Sequence, residues 1–196
     1  MTGEYGTIAQ ALWLALPVTL AGLTHVIAIK RDLLAELARI RLDGGLEFRG
    51  RPLFGANKTL RGAMIMIAAC VAWTLVVDAV ALGLGLDPSL RFIPLAQLGS
   101  LGLGLALGVA YIVGELPNSF IKRQLDIDPG EPAPERLRRL FWLADQVDST
   151  IAVLIALAVW RVPSPAFVLT LLLVTVLVHP AVAAIMVALG LKRRIG

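Results

Sequence analysis

The stretch Asp145-Gln146-Val147-Asp148-Ser149-Thr150, followed by the apolar run Ile151-Ala152-Val153-Leu154-Ile155-Ala156-Leu157-Ala158-Val159-Trp160, decides how the chain is read. The ten apolar residues alone would cover only about 15 Å as a helix, half of a bilayer's hydrocarbon core of about 30 Å. A helix that crosses here must therefore carry Asp145, Gln146, Asp148 and Ser149 with it. An acidic residue at membrane depth costs roughly 2.5–3.5 kcal/mol on insertion scales, and such residues face a cavity, a partner or an ion. Spaced i, i+3, the two aspartates share a helix face, where like charges raise each other's pKa unless a cation neutralises them. This pattern favours a hard divalent ion.

The rest of the chain supports the membrane reading. Hydrophobic residues make up 58% of the sequence and charged ones 16%, with a mean hydropathy of +0.81, values outside the range of ordinary soluble domains. Five apolar stretches are long enough to span, at about 8–29, 63–86, 92–113, 141–162 and 165–190. Helices are expected for all of them, because backbone groups in lipid must be satisfied within the segment. The expectation is one all-α membrane-embedded unit over 1–196, with long polar connections at about 30–62 and 114–140. No Lys or Arg precedes the first span, so it does not read as a cleaved signal peptide. The single Cys70 lies within the second span and reads as a packing residue.

Sixteen of the eighteen Lys and Arg residues fall in the two long connections and the tail, leaving only Arg91 and Arg161 elsewhere. The positive-inside rule places those connections and the C-terminus in the cytoplasm and the N-terminus outside. The protein is thus expected in the cytoplasmic membrane. The long connections, with Leu33, Leu34, Leu37 and Ile40 in one and Leu137, Leu140 and Phe141 in the other, suggest short amphipathic helices at the membrane surface. In the third span Ser100, Gly104 and Gly108 form a small-xxx-small ridge, which serves helix packing within the chain or, alternatively, a homodimer.

Polar chemistry gathers at the proposed inner face. Gly114-Glu115-Leu116-Pro117-Asn118-Ser119-Phe120-Ile121-Lys122-Arg123 sets a carboxylate, a hydroxyl and a basic pair at a span's end. Ser119, Lys122 and Arg123 can hold phosphate oxygens through O–H and N⁺–H donors. Gly55-Ala56-Asn57-Lys58-Thr59-Leu60-Arg61-Gly62 offers cations, neutral donors and the first turn of a span whose N–H groups suit an anion. Cations for phosphates beside carboxylates for metal are what nucleotidyl transfer requires, and Mg²⁺ characteristically takes one or two carboxylates plus substrate phosphates. No Ser–His or Cys–His pair suggests a covalent nucleophile. Asp78, toward the outer end of the second span, reads as structural or water-facing. His25 reads as a hydrogen-bonding residue near the inner interface, and His179-Pro180 as a kink in the fifth span.

Several of these motifs resemble a known family. Leu42-Asp43-Gly44-Gly45, Phe48-Arg49-Gly50, Phe54-Gly55, Asn57-Lys58-Thr59 and Arg61-Gly62 are similar to the first cytoplasmic loop of CDP-archaeol synthases. Ser119-Phe120-Ile121-Lys122-Arg123, Pro129-Gly130-Glu131-Pro132 and Asp145-Gln146-Val147-Asp148 resemble the second, and more distantly the signature of phosphatidate cytidylyltransferases. The resemblance implies five spans and an Mg²⁺-dependent transfer of CMP from CTP to a lipid phosphate, releasing pyrophosphate. It implies Asp145, Asp148 and Glu115 as metal ligands and Lys122 and Arg123 as catalytic residues with the two aspartates. Asn57, Lys58, Thr59, Arg61, Asn118 and Ser119 would bind substrate. Glu115 stands where the family usually carries an aspartate, and Ala183 where an asparagine often follows the histidine of the last span. An archaeal diether, a diacyl or another prenyl-type lipid phosphate are all open as substrates. The implied partners are CTP, the lipid phosphate and membrane lipids, with no nucleic acid. A transporter or flippase for phosphorylated lipids is the alternative from another class. Inverted repeats and broken helices at mid-depth would mark one, and neither is evident.

Overall fold

The computed structural model describes residues 6–191; the tail cations Lys192, Arg193 and Arg194 lie outside them. Five long helices carry the chain: α1 (Thr7–Lys30), α2 (Leu60–Gly83), α3 (Ser100–Gln124), α4 (Glu135–Leu157) and α5 (Pro165–Ala188). Each is long and apolar enough to cross a membrane. Large apolar side chains such as Leu82, Ile155, Leu173 and Leu177 point outward, the arrangement expected where the solvent is lipid. The helices pack in a ring, α1 on α2, α2 on α3, α3 on α4, α4 on α5 and α5 back on α1.

Two helices differ in register from the hydropathy reading. The third begins at Ser100 rather than near 92 and continues to Gln124 rather than 113. Its start is set by backbone chemistry rather than apolarity: Pro94 cannot donate into a helix, and Gly99 takes an extended N-cap conformation. The apolar residues before it fold across the end of the ring where α2 and α4 finish and α3 and α5 begin. There Phe92 stacks on Phe167 with ring centroids 4.1 Å apart, and Arg91 pairs with buried Asp78 at 3.0 Å. Asp78 is thus a structural ion-pair partner. At the other end, residues 114–123, expected in a connection, are the last turns of α3. The fourth helix begins at Glu135, so Leu137, Leu140 and Phe141 belong to α4 itself and not to a separate surface helix. Leu33, Leu34, Leu37 and Ile40 flank or occupy a single 3₁₀ turn, Ala35–Arg39.

The first long connection also holds the one departure from all-helical structure among the described residues. A two-stranded antiparallel hairpin, β1 (Glu47–Phe48) with β2 (Arg51–Pro52), projects from it. Arg51 ties this hairpin to the end of α3 by donating to the Gln124 carbonyl and the Asp126 carboxylate. Backbone bonds from Leu42 N–H to Lys58 O and from Leu60 N–H to Ile40 O pin the start of α2 to the same loop. Thr59 caps α2 by accepting from the Gly62 N–H at 3.4 Å.

The small-residue ridge of α3 is used inside the chain. A Cβ on Gly104 would stand 2.6 Å from Val71 Cα, and one on Gly108 2.7 Å from Ile67 Cα. Buried Cys70 packs in the same seam. Gly104→Ala therefore forces the α2 and α3 backbones apart, with an expected cost of about 1–3 kcal/mol. In Gly102→Ala the new methyl meets only the Leu98 side chain. Thermal unfolding in detergent should show a lowered midpoint for Gly104→Ala and little change for Gly102→Ala.

Candidate functional site

The ring of helices encloses a cavity of about 690 Å³. Its polar end lies where α1, α3 and α5 finish and α2 and α4 begin. Nine of the eleven side chains singled out in the sequence line it: Asn57, Lys58, Glu115, Asn118, Ser119, Lys122, Arg123, Asp145 and Asp148. The two others are turned to different tasks. Thr59 is occupied in capping α2, and Arg61 pairs with Asp32 at 2.7 Å, just beyond the end of α1.

Asn118 joins the acidic pair. Its Nδ2 donates to Asp145 Oδ1 at 2.6 Å and to Asp148 Oδ2 at 2.9 Å. One amide can reach both carboxylates only because their i, i+3 spacing sets them on the same side of α4. Lys122, one turn further along α3, donates to Asp145 Oδ1 and lies 5.5 Å from the Phe141 ring centroid. Asp148 Oδ1 also accepts from the Ser149 N–H at 2.6 Å and the Ser149 hydroxyl at 3.1 Å. Glu115 is engaged separately, by Lys58.

The helices must come very close for this network to form. A Cβ on Gly114 would stand 2.6 Å from Ala152 Cβ, 2.8 Å from Ser149 Cα and 2.9 Å from the Asp148 carbonyl oxygen. Asn118 follows Gly114 by four residues and so projects from the same face of α3. Between the two lies Pro117, which withholds a backbone donor inside the helix.

Arg123 is buried, at 7% exposure, and its Nε and Nη1 have no hydrogen-bond partner among the described residues. It lies against Gly55, whose φ of +96° favours glycine and where a Cβ would stand 3.2 Å from Nη1. A buried guanidinium with unused donors is suited to an anion entering the cavity. The formal charges of Lys58, Lys122, Glu115, Asp145 and Asp148 leave one excess negative charge, which Arg123 balances. A polyanion therefore requires added positive charge. Among the described residues no three His, Cys, Asp or Glu side chains converge as a ready-made metal cage. The donor set is instead two hard carboxylates that substrate oxygens would complete, as suits a magnesium-type ion.

Two further residues were not legible as parts of the site. His25 of α1 lines the cavity, its Nε2 shielded and without a hydrogen-bond partner among the described residues. Asp43 organises the loop that delivers Lys58. Its carboxylate accepts from the N–H groups of Gly45, Phe54 and Gly55 at 3.0, 3.1 and 3.3 Å, and Arg41 reaches its two oxygens, each at 3.0 Å. Burial by itself would push this carboxyl up, but the Gly45 and Phe54 N–H groups, the Arg41 guanidinium and the Gly55 N–H together hold it below the ordinary aspartate range. The sequence signal was the Asp-Gly-Gly turn, which does not say which distant amides the carboxylate collects.

Comparisons with known proteins bear on the whole chain. A family model described as CarS-like CDP-archaeol synthase matches residues 5–195. A CDP-archaeol synthase of Halobacterium salinarum is 30% identical over 198 aligned residues, covering 95% of this chain and 96% of the relative. One from Methanocaldococcus jannaschii is 30% identical, covering 96% of this chain and 97% of its own length. A solved intramembrane enzyme for archaeal membrane lipid biosynthesis superposes with a TM-score of 0.60 at 26% identity, over 87% of this chain and 90% of that one.

Asp43→Asn replaces an acceptor-only group with one that brings donors toward three N–H groups. We expect a local cost of about 1–3 kcal/mol, read by hydrogen exchange as lost protection at Gly45, Phe54 and Gly55. Because the folded carboxyl titrates below its unfolded value, its contribution is present above the ordinary aspartate pKa and is lost as pH falls through the folded one. Protection factors at these amides should therefore hold at neutral pH and drop below the ordinary aspartate range.

Proposed function

The chain belongs to the CarS-like CDP-archaeol synthase family, a family of CTP-dependent cytidylyltransferases, and we propose that the polar end of its five-helix cavity transfers CMP from CTP to a lipid phosphate. The observation that carries this reading is the Asn118-bridged pair Asp145 and Asp148 beside Lys122, open to a cavity that is also lined by apolar side chains such as Leu14, Val18, Val153 and Leu171. A phosphate oxygen of the lipid attacks the α-phosphorus of CTP. A new P–O–P linkage forms, the bond to the bridging oxygen of the β-phosphate breaks, and pyrophosphate leaves with that electron pair. Such a displacement asks the protein for alignment and charge neutralisation rather than covalent chemistry.

Lys122 and Arg123 are suited to hold the reacting phosphates, with Lys58 and Ser119 beside them. Asp145 and Asp148 would hold a divalent cation, Mg²⁺ by the hardness of the donor set, which when bound would supply charge neutralisation at the phosphate oxygens. Asn118 fixes the separation of the two carboxylates. Glu115, paired to Lys58, orients that lysine and would become a further metal ligand only by leaving it. Asn57, exposed at the cavity rim, is a nucleotide contact in this reading. Thr59 and Arg61 act by ordering the start of α2.

Thirteen Lys and Arg residues at this end of the molecule, with three more in the C-terminal sequence, support a cytoplasmic site, an outside N-terminus and a location in the cytoplasmic membrane, where CTP is available. The relatives' name makes archaeol phosphate the first lipid to test, with diacyl phosphatidate beside it.

Purified protein in detergent, given Mg²⁺, each NTP in turn and both lipids, should release pyrophosphate with CTP. No release with any pairing would overturn the reading. Asp148→Asn should lower turnover by about 100-fold or more while leaving the unfolding midpoint within a few degrees. Removal of divalent ions with EDTA should abolish activity, and Mg²⁺ should restore it.

A further inference from the structure

We propose that His25 positions the lipid phosphate where the apolar part of the cavity meets the polar cluster, an inference that rests on the reaction proposed above. Leu14, Val18 and Gly22, spaced by four residues, line the cavity along α1, and His25 follows on the next turn. From Leu14 to His25 is about 16 Å at the helical rise. No ionisable residue lies between them. His25 is therefore the first titratable group on α1 that an amphiphile meets as it lies along this wall with its head toward the cations.

The imidazole is available for that task. Its Nε2 is shielded from solvent and has no hydrogen-bond partner among the described residues. The polar network beside it is internally matched, with Lys58 on Glu115, and Lys122 and Asn118 on the aspartates. A shielded ring nitrogen left unpaired is costly unless a ligand supplies the partner. The setting of α1 is also fixed at this level, because Trp73 Nε1 of α2 donates to Thr24 Oγ1 at 2.9 Å. Gly62, in the first turn of α2, leaves the ring its space, and a Cβ there would stand 3.3 Å from Nε2.

Helix α1 packs mainly against α2 and α5, whereas Asn118, Lys122, Asp145 and Asp148 stand on α3 and α4. In the reaction proposed above, the metal-held phosphates sit on that second wall, with Asn57 a nucleotide contact at the rim. An acceptor phosphate carried by an apolar chain arrives along the first.

The test is steady-state kinetics on His25→Ala, His25→Gln and Gly62→Ala, with archaeol phosphate and dioleoyl phosphatidate varied at saturating CTP, and CTP varied at saturating lipid. His25→Ala should raise KM for the lipid about tenfold or more, leaving KM for CTP within about twofold. His25→Gln, which keeps an N–H donor, should recover most of the loss. Gly62→Ala should raise the lipid KM by a smaller factor without lowering the unfolding midpoint, since alanine is the better helix former. That variant also carries the test if His25→Ala fails to fold. An unchanged lipid KM, or an equal rise in both KM values, would overturn the role of His25 alone. Absence of pyrophosphate release from the unsubstituted protein would overturn the reaction and this inference together.

Discussion

The contact of α3 with α4 at Gly114 is the constraint on which the site depends. With hydrogen as its side chain, Gly114 lets the α3 backbone approach Ser149 and Ala152 to a distance that a methyl group would forbid. One helical turn later, Asn118 spans the gap and holds both Asp145 and Asp148. Without that approach the amide would fall short of one or both carboxylates. The acidic pair would then lose the group that defines its spacing. Small residues at Gly104 and Gly108 seat the other side of α3 on α2, so the helix bearing Glu115, Asn118 and Lys122 is located from both flanks.

Membrane context explains why these contacts rest on close packing rather than on hydrophobic burial. Lipid tails are as apolar as leucine, so separating two helices into lipid forfeits little hydrophobic free energy, and the favourable terms are van der Waals contact and interhelical hydrogen bonds. The protein uses the first along its glycine seams and the second at Asn118, Trp73 and Thr150, whose hydroxyl meets that of Thr175 at 3.1 Å. The end of the ring opposite the polar cluster is closed by a different device. Asp78 and Arg91 pair there in a buried setting, and Arg161 lies over the Phe92 ring while donating to its carbonyl. The ring of helices is thus fastened at one end and hollow and polar at the other.

Loop 30–59 shows how a segment without much secondary structure can still deliver a charged side chain accurately. Asp43 gathers three amides and one guanidinium, Arg51 anchors the hairpin to the end of α3, and short backbone pairing fixes residues 40–42 against 58–60. Lys58 is therefore presented from a braced loop, and it finds Glu115 across the cavity. The longer carboxylate at position 115 reaches this lysine rather than joining the aspartates.

The sequence by itself determined the number and helical character of the apolar segments. Length and the absence of charge decide these through the cost of unpaired backbone in lipid. It also determined that Asp145 and Asp148 share a face, because their spacing is a property of one helix. It misjudged the third helix by eight residues at its start, since apolar composition continues through Phe92–Leu98 while Pro94 and Gly99 prevent the helix from doing so. Tertiary structure alone decided that one asparagine bridges the aspartates, that Arg61 turns to Asp32, and that His25 faces the cavity. Each of these depends on how far apart two helices stand and how each is rotated about its axis. Hydropathy periodicity does not encode either quantity in a chain whose lipid-facing and core-facing sides are both apolar.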